Sequence, residues 1–397
     1  MANKKKRIQE DQLTGFKYHK QITSLLDSLH DAQCERDKAS NRKLHMDQYV
    51  SLILLYMFNP ICTSLRAIQQ CSELKKVQRK LGCQSASLGS LSDASHVFDS
   101  SLMTEIIDKL AIKLKPLATD SKLDDINEMI VAVDGSNIKA LARMTWAIYK
   151  PELNAIKVHT QFDIKNHVPI KMKVTHANGN EMDELASDLE PGRIYVKDRG
   201  YAKFELFNQI MDINSSFVCR VRDNSTYEIL EERTLSEDAI EAKVVFDYKV
   251  NLGQKKDCLK RPIRLISIKC NPNANRHARS DKGPHQSETL LIATDRFDLE
   301  PEVISLMYKH RWAIEIFFRF FKHVLGCRHL LSDNINGIEI QMYSAIIACM
   351  LIALWTGKKP TLRTYEMVCY YFCGMADLEE LTKHINKLQI SKEATVE

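Results

Sequence analysis

Residues 129–136 read MIVAVDGS. Five apolar residues without polar alternation mark a strand buried on both faces. The run stops at Asp134-Gly135-Ser136. Reading onward, residues 156–164 and 170–175 alternate like strands and are joined by a turn through Asn166 and His167. The Asn178-Gly179-Asn180 turn leads into a helix over residues 182–189, and RIYVK at 193–197 is another short strand. It ends in Asp198-Arg199-Gly200, followed by a helix over residues 203–211 and a strand over 217–221. The order strand, strand, strand, helix, strand, helix, strand predicts an α/β core. Two of its strands deliver an aspartate at their C-terminal ends, where chemistry gathers in α/β sheets.

Beyond this core the pattern turns β-rich. Residues 227–230, 242–250, 263–269 and 289–294 read as strands, with a polar loop at 271–287. No helix of useful length interrupts them, which predicts an all-β insertion at 223–297. Upstream, residues 1–122 read as helical, with an apolar segment at 45–58 ending at Asn59-Pro60. A basic helix is predicted over 64–81, carrying Arg66, Lys75, Lys76, Arg79 and Lys80. A Ser/Gly/Asp turn region is predicted over 85–95, and a further helix over 100–113. Short helices with one basic member suit a DNA-binding module, as they also suit a helical domain with solvated charges.

Composition narrows the class. The chain has 397 residues, of which 44% are hydrophobic and 27% charged, which excludes a wholly disordered, collagen-like or coiled-coil protein. Lys and Arg number 56 against 51 acids, a formal charge of +5 that permits a polyanion partner without requiring one. The 11 cysteines are scattered and form no CxxC, so they read as reduced thiols and not as a disulfide framework. Cys270, His277 and His285 lie near one another, with spacing too irregular for a zinc site. The N-terminus, MANKKKRIQEDQ, is basic without a following apolar segment, so it is not read as a signal peptide. The apolar run at 345–355 is shorter than the roughly 20 residues that span a bilayer, and it is expected to be a buried helix. No membrane role and a cytoplasmic location are expected.

A long helical pattern over 302–325 is the most informative segment. With Tyr308 set at zero and about 100° per residue, Arg311 falls near about −60° and Glu315 near about −20°. Arg319 falls near about +20°, Lys322 near about −40° and Trp312 near about +40°. The opposite arc is apolar: Ala313, Ile314, Phe317, Phe318, Phe320, Phe321, Val324 and Leu325. One carboxylate thus lies among cations and aromatics on a single stripe. Ordinary helical ion pairs would give the same stripe. The surplus of cations over the one acid favours phosphates near an acid-bound metal. Asp134 and Asp198 on strands, with Glu315 on a helix packing on the sheet, could together bind two divalent cations. Asp163, Asp183 and Asp188 compete for that role and are expected to serve the surface.

These residues resemble a known family. VAVDGSNIK around Asp134, VKDRGY around Asp198, and Tyr308-x2-Arg311-x3-Glu315-x6-Lys322 together look like a bacterial insertion-sequence transposase of the DDE, cut-and-paste type. FVCRVRD, LLIATDR and the helix carrying Gln341 add to the likeness, which covers residues 125–355. The resemblance implies a ribonuclease H-like mixed sheet with flanking helices, interrupted by the β insertion and preceded by the helical domain. It implies a nuclease and strand transferase with Mg2+, for which Mn2+ substitutes, bound by Asp134, Asp198 and Glu315. Tyr308, Arg311 and Lys322 match residues that contact the transposon-end backbone, and helical geometry alone adds Arg319. The implied partners are double-stranded DNA at terminal inverted repeats and at the target, with a homodimer in the DNA complex at the bacterial nucleoid.

The expected divisions are 1–122 (DNA-binding), 123–222 and 298–360 (catalytic core), 223–297 (insertion) and 361–397 (helical tail). A chain beginning near residue 120 is expected to keep its fold. Other readings are a catalytically inactive or domesticated transposase-derived DNA-binding protein, a resolvase-like nuclease, and an interaction protein without DNA. Three intact acids speak against the pure binder, and the cationic stripe speaks against the last.

Overall fold

The computed structural model describes residues 25–30, 42–114, 121–151, 153–254, 257–269 and 289–393. The basic stretch at 4–7 and the trio Cys270, His277 and His285 lie outside the described residues. The helical first third begins with α1 (Met46–Phe58), which stops where Asn59 turns extended before Pro60. The basic segment expected as one helix is two, α2 (Leu65–Glu73) and α3 (Lys75–Leu81), because Leu74 between them is extended. Ser64 caps α2 by accepting from the Ala67 amide, and left-handed Gly82 ends α3. The expected turn region at 85–95 is largely α4 (Leu88–Val97). Its serines misled the composition reading: Ser87 caps the helix, while Leu91, Ala94 and Ser95 form its buried stripe. Helix α5 (Thr104–Lys113) follows, then a short α6 (Ser121–Asp124).

The core strands are β1 (Met129–Lys139), β2 (Ile148–Lys150), β3 (Leu153–Asp163) and β4 (Val168–His176). After α7 (Glu181–Ala186) comes β5 (Arg193–Lys197), and after α8 (Phe204–Asp212) comes β6 (Ser216–Arg220). Strand β3 runs antiparallel to β1 and β4, while β1, β5 and β6 are parallel neighbours. The order β4-β3-β1-β5-β6 is the expected ribonuclease H-like arrangement.

The insertion contributes β7 (Tyr227–Glu232), a short α9 (Glu237–Glu241), β8 (Val244–Gln254), β9 (Asp257–Cys258), β10 (Ile263–Lys269) and β11 (Thr289–Thr294). It is not a separate sheet. Strand β11 pairs with β6, and β10, β8 and β7 continue outward, giving one eleven-stranded sheet among the described residues. A buried ion pair ties this extension down. Arg264 donates to both carboxylate oxygens of Asp247, at 2.6 Å from Nη2 to Oδ2, and to the Arg296 carbonyl.

Helices α10 (Pro301–His310), α11 (Trp312–His323), α12 (Ile335–Thr356), α13 (Leu362–Cys373) and α14 (Leu378–Glu393) complete the chain. The long pattern expected over 302–325 divides at Arg311, which remains right-handed helical. Helix α12 is 22 residues long, enough to cross a membrane by length and composition, yet 83% of its apolar window is buried inside the fold. The run at 345–355 is only its C-terminal half. Helix α12 packs on β4 and is covered by α1, α4 and α5. One apolar cluster therefore links Tyr49, Leu91 and Ile106 of the first third to Ile346 of α12, Phe317 of α11 and Ile130 and Ala132 of β1. A second cluster fills the other face, where Val131, Val133 and Tyr195 meet Leu206, Phe207 and Ile210 of α8. Neighbouring residues of β1 thus serve opposite cores, as the unbroken apolar run requires.

Candidate active site

The parallel ladder between β1 and β5 has its last pair at Ala132 and Val196. Asp134 and Asp198 stand two residues further on, Asp134 within β1 and Asp198 just past the end of β5, on the parity that faces α11. Asp134 does not end its strand. β1 runs on to Lys139 paired with β3 alone, so what ends beside Asp134 is the contact with β5. The ladder stops there because β5 ends at Lys197.

Local amides aim both acids. Gly135 N–H donates to Asp134 Oδ1 at 2.8 Å, and Gly200 N–H donates to Asp198 Oδ1 at 2.8 Å. The Cys219 thiol holds the Asp198 carbonyl at 3.2 Å. Burial pushes the Asp134 carboxyl up to about 6, and repulsion from Asp198 and Glu181 adds to it, against the Gly135 hydrogen bond and Arg311.

Helix α11 lies across β1, with Phe317 against Phe162 of β3 at 5.5 Å between ring centres. Its apolar arc is buried as the wheel requires. On the polar stripe Arg311 donates to Glu315 at 2.8 Å, and its guanidinium sits 5.8 Å from the Tyr308 ring centre. The Arg311 Nε is buried without a hydrogen-bond partner. Lys322 donates to the Asn137 carbonyl at 2.8 Å, fastening α11 to the β1 extension, and is drawn toward Asp134. Arg319 and Trp312 are exposed.

The structure brings Asp134, Asp198, Tyr308, Arg311 and Lys322 into one electrostatic neighbourhood. Glu315 stands on the same stripe, held by Arg311. Among the described residues no three acids, histidines or cysteines stand close enough to cage a metal ion. The donor chemistry does suit a hard divalent cation. Asp198 adds to the cost of ionising Asp134, and a cation beside Asp134 relieves it.

The competing acids are otherwise engaged. Asp163 is buried at the end of β3, not on the surface, and accepts from Lys165 N, Asn166 N and Asn166 Nδ2 in the hairpin turn. Asp188 pairs with Lys171 at 2.7 Å, and Asp183 accepts from Asn180 at 2.7 Å. Sequence reasoning missed Glu181, which reaches the Asp134 region from α7. It also missed Arg220, whose Nε is buried without a partner and whose charge reaches Tyr308. FVCRVRD flagged the strand carrying Arg220; nothing local flagged Glu181.

Comparison with known proteins places the chain in a family. The family model described as a transposase DDE domain matches residues 126–351. A putative transposase, y4zB, of Sinorhizobium fredii is 26% identical over 229 residues, covering 57% of this chain and 60% of that one. A probable transposase for the insertion sequence element IS5377 of Geobacillus stearothermophilus is 25% identical over 244 residues, covering 60% of each. A putative transposase for the insertion sequence element IS4SA of Synechocystis is 22% identical over 315 residues, covering 77% of this chain and 81% of that one. The chain thus spans only 60% of the length of the first two relatives.

Proposed function

The chain belongs to the transposase DDE domain family, and from that premise we propose that it is an insertion-sequence transposase that binds element ends and performs metal-dependent DNA cleavage and strand transfer. The observation that carries the reading is the place of Asp134 and Asp198, each two residues past the last β1–β5 pair, beneath the stripe of α11. Asp134, Asp198 and Glu315 would hold the divalent cations, magnesium with manganese as a substitute. Bound there, such cations supply Lewis acidity and an activated oxygen nucleophile for in-line attack on a phosphate. The protein's own groups orient and neutralise. The Gly135 and Gly200 amides aim the two aspartates, Arg311 balances Glu315, and Tyr308, Arg311, Lys322 and exposed Arg319 offer hydrogen bonds and charge to the phosphates of element ends and target. The proposed assembly on DNA is a homodimer at the nucleoid.

Asp134→Asn, Asp198→Asn and Glu315→Gln test the reading. Each keeps shape and removes a ligand charge, so each is expected to lose strand cleavage in magnesium while binding end duplexes like the parent. Full cleavage by any of them removes that residue from the site. One observation favours a second reading, a non-catalytic DNA-binding derivative: Glu315 is tied to Arg311. Cleavage by the parent protein sets that reading aside.

A further inference from the structure

We infer that Glu181 is a positioning residue of the cleavage site, set between the strand that carries Asp134 and the turn that carries Asp198, and that it holds those two acids at their working separation. The inference rests on the reading of those acids given above.

Three neighbours place Glu181. The first is Gly135, the residue after Asp134. A Cβ at position 135 would lie 2.8 Å from Glu181 Oε1 and 2.9 Å from its carboxyl carbon. The backbone there does not call for glycine, since Gly135 is absent from the positive-φ glycines and lies within β1. The missing side chain therefore serves space, and Glu181 occupies it. The second neighbour is Tyr201, three residues after Asp198, which is buried and feels the Glu181 carboxylate. The third is Lys157 of β3, at 2.9 Å. Lys157 also donates to the Gly179 carbonyl at 3.2 Å, securing the turn from which Glu181 emerges.

Glu181 thus touches β1 and β3 and lies beside the Asp198 turn. It does so where β1 and β5 have lost their mutual hydrogen bonds and no longer hold each other in register. Its charge repels Asp134, and the charged or titratable groups near it are Lys157, His159, Asp134 and Tyr201. A side chain wedged against Gly135 of β1 and Lys157 of β3, at a place where the sheet itself supplies no fixing bonds, is suited to setting a distance.

The experiment compares single-turnover cleavage, end-duplex affinity and thermal melting for the full chain and for Glu181→Ala, Glu181→Gln, Gly135→Ala and the Gly135→Ala/Glu181→Ala pair. Glu181→Ala is expected to cut about 100-fold more slowly, the scale of an ångström of misplacement, with affinity and melting unchanged. Glu181→Gln, which keeps the side chain's volume against Gly135, is expected to recover most of the rate. Gly135→Ala should match Glu181→Ala, and in the pair it should add nothing, because the space is already empty. Cleavage by Glu181→Ala at the parental rate overturns the inference alone. So does a full further loss in the pair, or a rate loss that tracks a fall in melting. A parent protein that cuts no DNA with any divalent cation overturns the functional reading itself, and the inference with it.

Discussion

Asp134 carries an ionisation cost that stability alone does not require. Burial chiefly pushes its carboxyl up to about 6 in the folded protein, from 3.8 for an unperturbed carboxyl. A raised carboxyl pKa contributes stability that is complete below the unfolded value and lost as pH rises through the folded one. At pH 7 the cost is therefore present in full. Asp134→Asn is expected to raise stability there by about 1–2 kcal/mol after allowance for solvent screening, and by less at pH 4.5; melting curves at the two pH values check this. Lys197 has the complementary cost. It is fully buried with no hydrogen-bond partner for Nζ, lies 4.8 Å from the Phe207 ring centre, and burial brings its pKa down to about 8. Its contribution is complete above the unfolded value of 10.5 and lost as pH falls through about 8. Lys197→Met, which keeps the stem, is expected to melt higher than the parent at pH 7, by a margin that narrows toward pH 10. Asp134 was legible because it follows a buried apolar run, and Asp198 because it follows a short strand pattern. Glu181 was not, because it follows a turn and reaches the site only through folding.

The stripe on α10 and α11 was legible from spacing, since a period of 3.6 places Tyr308, Arg311, Glu315 and Lys322 on one side however the helix ends are drawn. What spacing could not show is that two of those cations already have partners. Arg311 holds Glu315 and Lys322 holds the Asn137 carbonyl. Arg311→Ala and Lys322→Ala are each expected to weaken end binding and to flatten its salt dependence, by about one unit of slope for each lost phosphate contact. Binding isotherms at several salt concentrations measure it, and an unchanged slope for both would turn the stripe away from DNA. Arg311→Lys should not rescue, because an ammonium cannot span Glu315 and a phosphate as a planar fork does. The helix over Leu88–Val97 was illegible for a related reason. Serine and glycine suggest turns by composition, and only burial of Leu91 and Ala94 reveals the helix.

Packing at the largest scale runs against the expectation that a chain beginning near residue 120 keeps its fold. Helix α12 is apolar nearly all round, and α1, α4 and α5 cover the side that the sheet does not. Such a truncation should expose that side, so it is expected to aggregate or lose its cooperative melting transition; sedimentation and calorimetry of the fragment decide it. Contacts such as Tyr365 with the Met57 carbonyl, 308 residues apart, leave no mark in any local window. The buried Arg264–Asp247 pair, 0% and 2% exposed, holds the insertion side in the same way. Asp247→Ala is expected to cost about 3–5 kcal/mol, since it leaves a guanidinium buried without its counterion; chemical denaturation measures it.

The pairing of β11 with β6 has a mechanical consequence. A flap needs a crease, a line that few bonds cross. Here Ile292, Ala293 and Thr294 are laddered to Arg220, Cys219 and Val218, and β6 is laddered in turn to β5, which leads into Asp198. The insertion is thus a cantilever built into the same beam as the acids. Whatever its outer strands grip is gauged against Asp198 by a stiff ruler, and a push on that overhang arrives at the acids as a tilt of the whole plate.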